Sequence, residues 1–71
     1  MAMAYRVDYL RHGTRATFET ESFEAALAFA AGGEEDGELA AERITDPTGA
    51  VLLEGSALKD AILAWIEASD I

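Results

Sequence analysis

Seventy-one residues make room for one small domain, residues 1–71, and no second. Fourteen acids against five Lys and Arg give a net charge of −9, while 51% apolar residues are too many for a disordered acidic tail. A basic nucleic-acid binder and an anionic-lipid binder are excluded, because affinity for both comes from Lys and Arg. There is no cysteine, hence no disulfide, thiolate metal site or thiol nucleophile. Acidic residues interrupt every apolar stretch well short of the roughly 20 residues a membrane helix needs. The segment Met1–Tyr5 lacks a basic start followed by an apolar run, so a cytoplasmic protein is expected. A core of this size supplies only about 3–5 kcal/mol of net stability, which leaves oligomerisation as one route to more.

The first elements alternate. Tyr5, Val7 and Tyr9 point one way and Arg6 and Asp8 the other, the period of a half-buried strand. In a second run Ala16, Phe18 and Thr20 oppose Arg15, Thr17 and Glu19. His12-Gly13 between them is a two-residue turn with glycine second, which suits the twist of a hairpin. That turn pairs Tyr9 with Ala16, Val7 with Phe18 and Arg6 with Glu19, so the apolar partners share one face. A slip of one residue destroys the agreement.

Ser22 reads as a helix N-cap, and Glu24 stands in the first turn, where the helix dipole favours a carboxylate. Phe23, Ala26, Leu27 and Ala30 follow helical spacing, and Gly32-Gly33 is expected to end the helix. Glu34-Glu35-Asp36-Gly37-Glu38 then reads as a solvated acidic loop. A third strand, Ala40–Thr45, leads into Asp46-Pro47-Thr48-Gly49, where Asp bonds back to the backbone, Pro presets φ and Gly supplies φ > 0. The fourth strand is Ala50–Glu54. One register opposes Ile44 to Leu52; a tighter turn opposes Ile44 to Leu53 and Arg43 to Glu54. In either, at least one of Leu52 and Leu53 lies off the helix-covered face. Ser56 reads as the cap of a last helix, Ala57–Ser69, whose core stripe is Leu58, Ile62, Trp65 and Ile66, with Leu63 beside it.

The expected fold is α+β, ordered ββαββα, with one antiparallel four-stranded sheet and both helices on a single face. The other sheet face is left to water or to a partner. A shift of 34 residues places Leu10 on Ile44, Ala16 on Ala50, Phe18 on Leu52 and Ser22 on Ser56, a candidate internal repeat.

Few residues carry a chemical signature. Leu10-Arg11-His12-Gly13-Thr14 resembles the Arg-His-Gly signature of the histidine phosphatase family, whose histidine takes the phosphoryl group. That family needs a second histidine and further arginines, and His12 is the only histidine here, so the segment reads as a turn. A calcium loop with Gly37 sixth has Gly32 at the first ligand position and Arg43 at the twelfth, so both essential carboxylates are missing. A paired-carboxylate hydrolase needs an apolar cleft that a chain of this length hardly provides. The glycines lack phosphate-loop spacing. No catalytic residue, cofactor or metal is expected.

Charge is unevenly distributed. Residues 1–18 hold Arg6, Arg11 and Arg15 against Asp8, whereas residues 19–71 hold thirteen acids against Arg43 and Lys59. The acids gather before and within the first helical turn, at Glu19, Glu21 and Glu24, and after the helix, at Glu34, Glu35, Asp36, Glu38 and Glu42. Such a field steers a positively charged partner. In length, charge and lone α+β architecture the chain resembles phage-encoded inhibitors of the anti-CRISPR and DNA-mimic type. The resemblance implies an inhibitor, not an enzyme, that binds a basic, nucleic-acid-handling protein through Glu21, Glu24, Glu34, Glu35, Asp36, Glu38 and Glu42. The alternative is a self-associating accessory domain, motivated by Leu52, Leu53, Leu63, Ile71 and the uncovered sheet face. In that reading Arg6, Arg11 and Arg15 of one copy meet the acids of another.

Overall fold

The computed structural model describes residues 4–69. In chain order its elements are β1 (Tyr5–Arg11), β2 (Thr14–Thr20), α1 (Phe23–Glu35), β3 (Ala40–Thr45), β4 (Val51–Glu54) and α2 (Gly55–Ser69). The strands form one antiparallel sheet in the order β2-β1-β3-β4. The ββαββα reading therefore holds, and Ile71 lies outside the described residues.

The first hairpin has the expected register, with Val7 opposite Phe18, Tyr9 opposite Ala16 and Arg6 opposite Glu19. His12 and Gly13 turn the chain with φ of 53° and 80°, the positive pair that defines a type I′ turn. The second hairpin adopts the tighter register, Ile44 against Leu53 and Arg43 against Glu54. A bulge follows, so Thr45 faces Val51 and the strand begins there and not at Ala50. Leu53 packs against the core, which removes it from the spare apolar surface, while Leu52 stays exposed. The intervening turn is tied by Asp46, whose Oδ1 accepts from the Thr48 N–H, the Thr48 hydroxyl and the Ala50 N–H at 2.9, 2.6 and 2.9 Å.

Both helices share one core with Val7 and Ile44, neighbours on β1 and β3, so they cover the same sheet face. Ala26, Leu27, Ala30 and Ala31 of α1 meet Leu58 and Ile62 of α2 there, and the small alanines let the elements approach closely. Phe29, which falls outside the stripe read from spacing, anchors α1 to the sheet. Its ring stacks on Phe18 at 4.0 Å between centroids and meets Tyr9 edge-on at 5.2 Å. Aromatic pairs of this kind contribute about 0.5–1.5 kcal/mol beyond their burial.

Both helix boundaries depart from expectation. Ser22 does cap α1, its side chain accepting from the Ala25 N–H at 3.1 Å. The helix nevertheless runs through Gly32-Gly33 to Glu35, with Asp36 as its C-cap. The stop lies at Gly37, whose φ of +73° lets Gly37 N–H reach the Glu34 carbonyl and Glu38 N–H reach that of Gly33. That two-bond closure is the Schellman motif, which asks for glycine at this position. Gly33 serves a different end: Leu39 lies over it, where a Cβ would stand. At the other helix, β4 passes directly into α2 at Gly55, so no loop remains for an N-cap and Ser56 lies within the first turn.

The candidate repeat survives as element order only. Leu10 is half-buried where Ile44 is fully buried, and Phe18 packs on the core where Leu52 is exposed. The bulges in β3 and β4 displace the second half from the alternation of the first.

Candidate acidic docking surface

The acids expected to meet a partner occupy three places. Glu21 and Glu24 are exposed at the N-terminal end of α1. Glu34 and Glu35 form the last turn of that helix, Asp36 caps it and Glu38 follows the closing glycine. A rise of 1.5 Å per residue separates Glu24 from Glu35 by roughly 16 Å along the axis, so the two groups are not one cluster. Glu42 lies elsewhere again. It falls where β3 bulges against β1, and pairs with Arg15 at 3.8 Å. The segment read as an acidic loop is thus partly helix: Glu34 and Glu35 lie within α1 and Asp36 caps it.

The two ends of α1 differ in electrostatics. Glu24 sits where the helix dipole favours a carboxylate, whereas Glu34, Glu35 and Asp36 sit where it opposes one, with no basic residue in the last turn. Each unfavourable placement costs about 0.3–1 kcal/mol at an exposed site. Glu38 is held by Arg11 at 3.8 Å, with both side chains more than half exposed. Such a pair contributes about 0–1 kcal/mol. Glu34 and Glu35 also border a shallow groove between the helices, lined by Lys59, Ile62, Leu63 and Ile66, of about 270 Å³. Leu63 is 57% exposed in it.

The arginines of the first hairpin are spent within the chain. Arg6 and Arg43 both reach Asp8, at 3.4 and 3.5 Å, and Arg11 and Arg15 reach Glu38 and Glu42. The sheet face away from the helices therefore carries two sets of ion pairs, Arg6 and Arg43 on Asp8 and Arg15 on Glu42. Asp8 is the residue that spacing understated. Its partnership with Arg6, two residues away on the same strand face, is visible in the sequence, but that with Arg43 needs the β1–β3 pairing.

His12 is exposed at the tip of its turn. Among the described residues no group of three or more His, Asp or Glu is placed to hold a metal, and no helix is long and apolar enough to cross a membrane. No protein-family model, curated protein or solved structure matches the chain.

Proposed function

We propose that this is a non-enzymatic inhibitor of the anti-CRISPR or DNA-mimic kind, acting in the cytoplasm on the basic surface of a nucleic-acid-handling protein. The observation that supports the reading is the C-terminal end of α1. Glu34, Glu35 and Asp36 stand together against the helix dipole, and Glu38 follows directly. A local conflict of this sort costs stability, and such conflicts gather where function requires them. A partner's Arg and Lys would neutralise these carboxylates and relieve the conflict at the same time. Glu21 and Glu24 form a second contact point at the far end of the helix, and Glu42 contributes from the open sheet face.

The test is capture of partners from a bacterial lysate at low and at high salt, followed by affinity measurement with the protein recovered. Binding should fall steeply with salt, as phosphate binding does. The triple variant Glu34→Gln, Glu35→Gln, Asp36→Asn should lose most of the affinity, and Glu21→Gln with Glu24→Gln less. Affinity that stays flat across the salt range sinks the reading.

A further inference from the structure

The outer edge of β2 has the features of a pairing surface. Among the described residues no strand lies beyond it, and its seven residues pair with β1 in unbroken register. Sheet edges of this length are normally blunted by proline, lysine, a bulge or brevity. The opposite edge, β4, is four residues long and bulged. β2 has no proline, lysine or bulge, its two charged side chains, Arg15 and Glu19, are of opposite sign, and three of its residues are threonines, which favour extended structure.

The two-residue turn decides which backbone groups face outward. Arg11 and Thr14 flank it as a hydrogen-bonded pair, so pairing alternates along the hairpin. Thr14, Ala16, Phe18 and Thr20 direct their N–H and C=O groups at β1, and Arg15, Thr17 and Glu19 direct theirs outward. The sequence Thr14-Arg15-Ala16-Thr17-Phe18-Glu19-Thr20 is complementary to itself about Thr17. Reversed on itself, it sets Arg15 against Glu19, Ala16 against Phe18 and threonine against threonine.

We infer that two copies of the chain associate by antiparallel β2–β2 pairing about a two-fold axis at Thr17, forming one eight-stranded sheet. About six backbone hydrogen bonds close the junction, from the outward groups of Arg15, Thr17 and Glu19 on each copy. Arg15, with its side chain 80% exposed, meets the partner's Glu19 while keeping Glu42 beside it. Phe18 covers the partner's Ala16 on the helix side. The alternatives of matching backbone phase are poorer: centring on Ala16 sets Arg15 against Thr17, and centring on Phe18 sets Glu19 against Thr17. The strand itself holds one cation and one anion, so two molecules of net charge −9 meet along a neutral edge.

Sedimentation equilibrium from micromolar to millimolar protein, with amide exchange followed by NMR, tests the inference. The mass should double, and the Arg15, Thr17 and Glu19 amides should become protected as concentration rises, while those of Ala16 and Phe18 stay unchanged. Thr17→Pro removes the donor at the axis and leaves the bonds to β1 in place, so dimerisation should be lost. If that variant does not fold, Arg15→Glu puts like charges opposite each other twice and should weaken association about tenfold or more. Adding Glu19→Arg should restore it. A monomer at millimolar concentration, a dimer whose three outward amides stay unprotected, or an Arg15→Glu dimer of unchanged affinity each overturns the inference. So does protection that appears only with a foreign strand bound.

Discussion

Asp46 and Thr45 are adjacent and opposite in character. Asp46 organises its turn through three accepted hydrogen bonds, and those donors hold its carboxyl below the ordinary 3.8, the Thr48 hydroxyl first and the Ala50 N–H next. A carboxyl of depressed folded-state pKa contributes stability above its unfolded pKa, and the contribution is lost as pH falls through the folded value. Asp46→Asn should therefore melt lower than the parent at neutral pH, and thermal scans should show the difference closing as pH drops below 3.8. Thr45 is 4% exposed, and its hydroxyl has no hydrogen-bond partner among the described residues. A buried hydroxyl left unsatisfied costs about 1–3 kcal/mol. Thr45→Val should accordingly raise stability by about 1 kcal/mol in urea unfolding, with an unchanged m-value.

At the scale of elements, α1 concentrates the informative conflicts. Gly32 is exposed within the helix, with open space where a Cβ would stand, so Gly32→Ala should stabilise by about 0.5–1 kcal/mol. Gly37→Ala should do the reverse, because its φ of +73° closes the helix. Measured together, the pair distinguishes the helix end at Gly37 from one at Gly32-Gly33. The acidic last turn predicts a trade between stability and binding. Glu34→Gln with Glu35→Gln should raise the melting temperature by relieving the opposed dipole, while weakening capture of a basic partner. A gain in stability without loss of binding would mark these carboxylates as surface charge alone.

Across the whole molecule, acids outnumber bases while all four arginines are already paired within the chain. Self-repulsion follows, and moderate salt should raise the melting temperature by screening it while weakening partner binding. Opposite salt dependences of stability and affinity are a direct check on the proposed role of the charge. The acids expected to meet a partner lie, in three dimensions, at the two ends of one helix, with Glu42 apart on an ion-paired sheet face.

Local periodicity was enough to determine the elements, their order and the first hairpin register. Each depends on residues a few positions apart: alternation in β1 and β2, the His12-Gly13 turn, the Ser22 cap and the Asp46 turn. The strand order placed β1 beside β3, and that non-local pairing joined Asp8 to Arg43 and left β2 on the edge. The bulges at Glu42 and Leu52 were equally invisible, because an extra residue is accommodated only against the strand it faces. The helix ends at Gly37 and not at Gly32-Gly33 because a glycine stops a helix only where the chain takes a positive φ, and that occurs at Gly37, with Leu39 lying back over Gly33. The acids and their grouping at the two ends of α1 were legible in the sequence; that Glu34 and Glu35 belong to the helix itself and that Glu42 joins the sheet face beside Arg15 was not, because it depends on where the helix ends and on which strands meet.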